Sequence, residues 1–456
     1  MKKSFDDLKH TRIGLPSGGE VIVLDTGAII GPEAEAMIQA LHSRSLEGFD
    51  HHLKVLANKG PEKFIKDYYV GYGHKSIGDC GTATVFVEGV SMLAAKAIQD
   101  SPLYSGQEGS TRYIDFSNQG LIDPSNTRLG REILENERLA YLEAQEPTIN
   151  FLKMNHPYDG SVSKETYEKA IKARALDITR SLLPAGTSTK LAWHTNLRQA
   201  ADHILFLRHH PLRELREIAG SLELALMKHF QNSFTHKRYP KTEEYQDLVA
   251  QHYFYFDEDS PSEPQVDLSK IDRKLLEEKR ELFEKRPKKT ELPKYLAELG
   301  VLTARFLLDF GSFRDIQRHR AISQRMPLLT TELGFNEWYL ENFPPEVQSR
   351  AVSHLERMSG LIQRLGASPQ DSQYFIPMGF NVSCKFTGNL PASIYMVELR
   401  DSSNVHPTLQ RVAHSIGEQI SRGLGIPLNI EKDEPKFDFR RGKQDIIDRS
   451  KKENEE

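Results

Sequence analysis

The sequence predicts an α+β fold in two tandem domains, and three observations carry that reading: strand-like runs give way to long amphipathic helical patterns, an acidic seam interrupts the chain, and the two halves echo one another. EVIVLDTGAII (20–30) is strand-like and ends at Gly31-Pro32, after which EAEAMIQALHSR has helical spacing. TATVFVEGVSMLAAKAIQ (82–99) starts with strand alternation and turns helical after Gly89. Residues 127–153 and 163–183 are long, charged and amphipathic, so they are expected as helices, with two more from Leu197 to about His209 and from Leu212 to Phe230. The seam DEDSPSEPQVDLSK (257–270) carries Pro261 and Pro264 and reads as a linker. The charged stretch LLEEKRELFEKR (275–286) behind it reads as a solvated helix with i,i+4 ion pairs. These features set an N-terminal domain at 1–256, a linker at 257–270, a C-terminal domain at 271–436 and a charged tail at 437–456, which is expected to fray.

The echo lies between LLPAGTSTKLAWHTNLRQAADHILFLRHHP (182–211) and FIPMGFNVSCKFTGNLPASIYMVELRDSSNVHP (375–407). Both place Asn-Leu at one distance from a proline (Pro184 to Asn196, Pro377 to Asn389), follow it with Arg208 or Arg400, and close on His-Pro. A duplication is favoured.

Composition bounds the function. A chain of 456 residues with 38% hydrophobic and 27% charged residues is globular and too long for one ordinary core. A net charge of −4 gives no reason to expect general nucleic-acid binding. Cys80 and Cys384 form no CxxC, so neither a disulfide framework nor a cysteine zinc site is suggested, which fits a reducing cytoplasm. MKKSFDDLKH has no apolar stretch behind its basic start, so it is not read as a signal peptide, and no apolar run is long enough to span a membrane. His51-His52 and His209-His210 lack metal-ligand spacing, and no metal site is expected.

Two stretches stand out chemically. SGQEGSTRYIDFS (105–117) packs Glu108, Ser110, Thr111, Arg112 and Tyr113 together between glycines. Alone it reads as a loop with an ordinary Glu–Arg surface pair. The alternative is an anion loop: glycines permit close backbone approach, Ser110 and Thr111 donate to phosphate oxygens, and Arg112 grips a phosphate with two parallel bonds. Glu108 would then accept from a sugar hydroxyl or hold an arginine in place. QRHR (317–320) sets Arg318, His319 and Arg320 side by side, three cations or near-cations that repel unless an anion neutralises them. An exposed basic patch is the plainer alternative.

Taken together, the stretches resemble the flavin-dependent thymidylate synthases, whose signature is R-H-R-x-x-S-x-N-E-x-S-x-R-Y. The first half keeps Ser105, Glu108, Ser110, Arg112 and Tyr113, with Gln107 for Asn and Asp100, Ser101 and Pro102 in place of RHR. The second half keeps Arg318, His319, Arg320 and Ser323, while Arg325, Met326, Leu328, Thr330 and Thr331 replace the rest. Gly73-His74 ahead of Ser76 looks like the family's GHxxxxE segment; Arg180 matches an arginine on deoxyuridylate, with Gln373 at the second-half position; Asn196 and Asn389 match a flavin-contacting asparagine; Arg400 falls on the arginine that favours ionisation of the uracil ring.

The resemblance implies a helical bundle with a small mixed β-sheet in each half. It implies FAD as cofactor, NADPH and methylenetetrahydrofolate as co-substrates, and reductive one-carbon transfer to deoxyuridylate. Substrate binding would fall to Glu108, Ser110, Thr111, Arg112, Arg180 and Arg400, with Arg400 and Glu108 closest to the chemistry. Flavin binding would fall to His74, Ser76, Asn196, Arg318, His319, Arg320 and Asn389. A homodimer would imitate the family's tetramer. Because each signature copy is incomplete, two alternatives stand beside this: altered chemistry on a pyrimidine nucleotide, such as hydroxymethylation, and a flavin- or nucleotide-binding protein without turnover.

Overall fold

Alternation of apolar side chains in the strand-like runs yields a five-stranded and a four-stranded antiparallel sheet, besides one two-stranded pairing. The computed structural model describes residues 10–16, 18–24, 31–42, 54–55, 58, 60, 62–71, 75–112, 114–431, 437 and 439. The expected strand continuation at 25–30, His74, Tyr113 and the tail from 440 lie outside the described residues. The chain forms two units: unit 1 takes residues 1–109, 120–124 and 186–254, and unit 2 takes 110–119, 125–185 and 255–456. The units change at 254/255, beside the expected end of the N-terminal domain at 256, while the two long helices of the first half belong to unit 2.

In unit 1 the strands are β1 (His10–Gly14), β2 (Glu20–Leu24), β3 (Thr82–Ser91), β4 (Ser105–Glu108) and β5 (Ser188–Asn196), in the order β1-β2-β3-β5-β4. Helices α1 (Pro32–His42) and α2 (Met92–Gln99) precede β4; α5 (Leu197–Arg208), α6 (Arg213–His229) and α7 (Pro240–Gln251) follow β5. Helices α3 (Arg128–Asn155) and α4 (Lys164–Thr179) stand between β4 and β5 in the chain but pack in unit 2. Val21, Val23, Val85, Val87, Leu191 and Trp193 project from the strands into the unit 1 core. One buried ion pair sits there: Lys96 Nζ lies 2.9 Å from Glu108 Oε2, with side chains 1% and 0% exposed, and Gln99 bonds to both.

In unit 2, β6 (Gln265–Asp267), β7 (Val301–Asp309), β8 (Ser323–Gln324) and β9 (Asn381–Asn389) pair in the order β6-β7-β9-β8. Helices α8 (Phe310–Ile316), α9 (Glu337–Asn342), α10 (Pro345–Leu365), α11 (Leu390–Arg400) and α12 (Pro407–Leu424) complete it, with α3 and α10 packed together. The sheet core is Leu302, Ala304, Phe306, Val382, Cys384 and Phe386.

The same order of elements occurs twice, and the registers match. The last residue of β3, Ser91, faces the first of β5, Ser188, and Asp309 at the end of β7 faces Asn381 at the start of β9. Ser91 and Asp309 each cap the following helix, as do Asn196 and Asn389 one strand later. Short strands β4 and β8 join in step, Ser105 against His194 and Ser323 against Thr387. Within unit 2 the echoed segments also bond reciprocally: Ala185 N donates to Ile376 O at 2.9 Å and Met378 N to Leu183 O at 2.8 Å, around a Pro184–Pro377 bridge. Such reciprocity is what a two-fold relation produces.

Three expectations change. The sheets are antiparallel rather than mixed, because the chain re-enters each sheet at the end from which it left. The linker carries edge strand β6, paired with Arg305–Thr303. The charged helix breaks at Lys279 into Arg273–Glu278 and Arg280–Glu284, and buries Leu276 and Phe283 instead of lying fully solvated.

Removing one partner from a fully buried ion pair leaves an uncompensated charge, so Lys96→Ala should destabilise the protein by roughly 3–5 kcal/mol, measured by urea denaturation. Lys96→Ala unfolding at the wild-type midpoint would contradict the pair's role.

Candidate active site

Side chains of both signature stretches, Thr111 and Arg112 from the first and Arg318 from the second, belong to unit 2. Residues 110–119, after β4, bring Thr111 and Arg112; the end of α4 brings Asp177 and Arg180; α8 and the turn behind it bring Ser312, Arg314, Asp315 and Arg318; the end of α11 brings Arg400; and His406 caps α12. Arg112 donates to the buried Asp177 carboxylate, Nε to Oδ1 at 2.8 Å and Nη2 to Oδ2 at 3.4 Å, and to Asn404 O at 3.1 Å. Arg180, 2% exposed, donates from Nη2 to Ser312 Oγ at 3.0 Å and from Nη1 to Thr111 Oγ1 at 3.5 Å. Arg314 reaches the same Thr111 hydroxyl at 3.4 Å. Arg400 Nη2 donates to the main-chain oxygen of Asp315 at 2.6 Å.

A hydrogen-bonded layer holds Arg180. Asp309 Oδ2 accepts from Ser312 N and Tyr339 Oη, each at 2.8 Å, and lies 4.0 Å from Arg180 Nη2. Ser312 Oγ and His406 Nδ1 each lie 2.8 Å from Thr408 Oγ1, and His406 Nε2 is 3.3 Å from Asp177 O. Among the described residues Arg180 Nε, Arg400 Nε and Asp309 Oδ1 are buried without a hydrogen-bond partner.

The electrostatics follow from that packing. Desolvation raises the Asp315 carboxyl, but Arg318, Arg112, Arg180 and Arg400 together outweigh it and hold the group below its ordinary value. One carboxylate thus senses four guanidiniums, two from each half of the chain. Burial raises Asp309, only partly opposed by Arg180, and drives His406 well below the usual imidazole range. Arg112 is set against Asp177 and Arg180 against Asp309.

Other expected residues are placed differently. Glu108 belongs to unit 1 and its carboxylate is engaged by Lys96 and Gln99. Gly106 is required by strand packing: a Cβ would stand 1.9 Å from Ala192 O. Ser110 Oγ accepts from Arg112 N at 3.3 Å and so shapes the loop. Asn196 and Asn389 spend their Oδ1 atoms on Gln199 N and Ala392 N as helix caps. His74 and the side chain of Ser76 lie outside the described residues. Arg318 and Arg320 are exposed, whereas His319 between them is buried against Tyr395. Burial first, and Arg400 second, lower His319 to about 3, with Asp315 opposing. The triplet is accordingly two cations about a neutral imidazole, a correction to the reading of three adjacent cations.

Sequence reasoning missed Asp177, Asp309, Ser312, Arg314, Asp315, Tyr339 and Thr408. An available signal was Arg314-Asp315, a charged pair in the otherwise apolar helix preceding QRHR. At the echoed position of Arg180 and Thr111 stand Gln373 and Leu329, where Leu329 N donates to Gln373 Oε1 at 3.0 Å. The counterpart keeps the contact and lacks the charge.

Residues 31–230 match the family described as thymidylate synthase complementing protein. The chain is 26% identical over 415 residues to a UPF0159 protein of Chlamydia muridarum, covering 78% of each. It is 25% identical to a UPF0159 protein of Thermoplasma acidophilum, covering 87% of this chain and 93% of that protein. A flavin-dependent thymidylate synthase of Sulfurisphaera tokodaii is 25% identical over 170 residues, 37% of this chain and 58% of that protein. Among solved structures, a UMP/dUMP methylase PolB from Streptomyces cacaoi bound with 5-Br UMP shares 19% identity with a TM-score of 0.31, covering 49% of this chain and 95% of that one. Over residues 31–230 the chain is therefore similar to the thymidylate synthase complementing family. Among the described residues no helix is long and apolar enough to cross a membrane, and no cluster of His, Cys, Asp or Glu could hold a metal ion.

The neutral His319 gives a signed pH dependence. Below the ordinary value of 6.5 the unfolded chain takes up a proton that folded His319 refuses until about 3, so stability falls as pH drops through that window. One such group contributes a slope of up to about 1.4 kcal/mol per pH unit. His319→Gln should flatten the slope of unfolding free energy across the window, measured by denaturant titration at several pH values. An unchanged slope would contradict it.

Proposed function

We propose that the arginine centre binds a pyrimidine nucleoside monophosphate, deoxyuridylate in the first place, and that the chain carries out reductive one-carbon transfer to it as a flavin-dependent thymidylate synthase does. The observation that carries this reading is the set of arginines that unit 2 anchors close together: Arg112 on Asp177, Arg180 on Thr111 and Ser312, and Arg400 on the Asp315 main-chain oxygen. Guanidiniums match phosphate oxygens two at a time. Arg112 and Arg180 take the phosphate, with the Thr111 hydroxyl as a further donor, and Asp177 keeps Arg112 oriented. Arg400 takes the uracil: a guanidinium beside the ring stabilises its N3 anion and so enriches carbon 5 for attack. The cysteines take no part, since Cys384 is buried and its thiol is pushed well up by burial.

FAD fits the turn behind α8. Arg318 and Arg320 offer exposed guanidiniums on either side of His319, whose Nε2 is buried with no partner among the described residues. Those three residues would hold the flavin; when bound it supplies the hydride that side chains cannot. NADPH and methylenetetrahydrofolate enter as co-substrates by the same reading.

The matched sheet registers, the repeated caps and the reciprocal bonds around Pro184 and Pro377 support a tandem duplication. Gln373 and Leu329 at the counterpart position support one charged centre per chain. The protein then works as a homodimer in the cytoplasm, an imitation of the family tetramer with half its sites.

Arg180→Gln, which copies the counterpart, should weaken deoxyuridylate binding by about 10- to 100-fold, the loss of one or two charge-assisted bonds, by isothermal titration calorimetry. Flavin content should stay at the wild-type level, and rescue of a thymidine-requiring strain should be lost. Wild-type deoxyuridylate affinity in Arg180→Gln would refute the phosphate role, and failure of the wild-type chain to rescue would refute thymidylate synthesis.

A further inference from the structure

Helix α7 of unit 1 lies beyond residues 31–230, the part of the chain that matches the family, and it is mounted the wrong way round for a surface helix. Such a helix ordinarily buries its apolar stripe and turns its charges to water. Here acids fasten it instead. Glu243 accepts from Arg208 Nε at 3.1 Å and from Arg208 Nη2 at 2.7 Å. The His209 ring bridges Glu243 and Asp247 at 2.7 and 2.6 Å. Arg208 stands in the echo where Arg400 stands in the other half, and in this copy it is spent on holding α7.

The opposite face of α7 carries the apolar side chains. No residue of the helix is buried, and Tyr245, Leu248 and Val249 are 62%, 51% and 37% exposed. Their i, i+3, i+4 spacing makes them one patch, of the kind that marks an interaction surface. Exposed Glu244 and Asp247 border it, with Lys241 at its start.

Helix α6 of the same unit shows an exposed face of opposite charge. Leu224 and Met227 are exposed there at 55% and 37%, with Arg213 and Arg216 near the start of the row and Lys228 at its end. Glu217 beside them pairs with Arg213 at 2.8 Å. A Cβ on Gly220, in the same row, would meet nothing among the described residues, so a second helix can come close at that point.

We propose that these faces join two copies of the chain, α7 of each lying along α6 of the other. Tyr245, Leu248 and Val249 meet Leu224 and Met227, and Glu244 and Asp247 face the arginines and Lys228. The occupant is a second copy because the chain itself carries the face of complementary charge. A two-fold axis closes both contacts at once, with an apolar centre and a charged rim. This surface rests on the homodimer of the reading above and specifies how that dimer forms.

Sedimentation velocity of the full chain over a concentration series, joined to cysteine cross-linking, tests it. Leu248→Glu changes an exposed side chain and should leave the urea midpoint in place, while raising the dimer dissociation constant at least about 100-fold. Chains with both Leu224→Cys and Leu248→Cys should form covalent dimers on mild oxidation. Either change alone should stay at the wild-type level set by Cys80 and Cys384. A wild-type chain that remains monomeric leaves the face to a different protein, and would overturn this surface together with the homodimer reading. A wild-type dimer that Leu248→Glu leaves intact, and that gives no double-cysteine cross-link, would overturn the surface alone. Cross-linking by Leu248→Cys alone would show α7 against α7 and would overturn it too.

Discussion

Burying Arg180 is the constraint on which the rest of unit 2 depends. A guanidinium 2% exposed to water must be compensated by oriented oxygen atoms. The fold meets that demand with Ser312, Thr111 and Asp309, and each requires its own support: Asp309 caps α8 and accepts from Tyr339, Ser312 leans on Thr408, and His406 joins that layer to Asp177. Asp177 then orients Arg112. The network fixes two arginines, each set against a buried carboxylate.

Much of the fold was legible in the sequence. Helices α3, α4, α5 and α6 begin and end within a few residues of their periodic patterns, and the strand of 82–99 yields to helix two residues after Gly89, where Ser91 supplies the cap. The sheet edge at Gln265–Asp267 was hidden because two prolines and many acids mask a single Val266 that forms the alternation. The assignment of α3 and α4 to unit 2 was hidden too, since periodicity shows which face is apolar and not what covers it.

The candidate site was legible as a list of basic residues and not as a geometry. Arg112, Arg180, Arg318 and Arg400 come together as their shared chemistry suggested. Glu108 reads like a site acid but spends its charge on Lys96, a partner no spacing rule could supply. His319 looked cationic beside two arginines, and only burial reveals it as neutral. The acids that matter most, Asp177, Asp309 and Asp315, sit in ordinary helical surroundings in the sequence and acquire their role from packing alone. The reciprocal bonds at Pro184 and Pro377 join the two echoed segments, with Arg180 before one proline and Gln373 before the other.

The central claim is that this centre holds a phosphate as its dianion. Phosphorus NMR of deoxyuridylate titrated against pH, free and bound, tests it most directly. A phosphate monoester releases its second proton near pH 6 in water, and an arginine-rich centre favours the charged form. The account predicts that the bound phosphate remains dianionic well below the pH at which free deoxyuridylate takes up its proton. A bound phosphate that titrates as it does in free solution would contradict it.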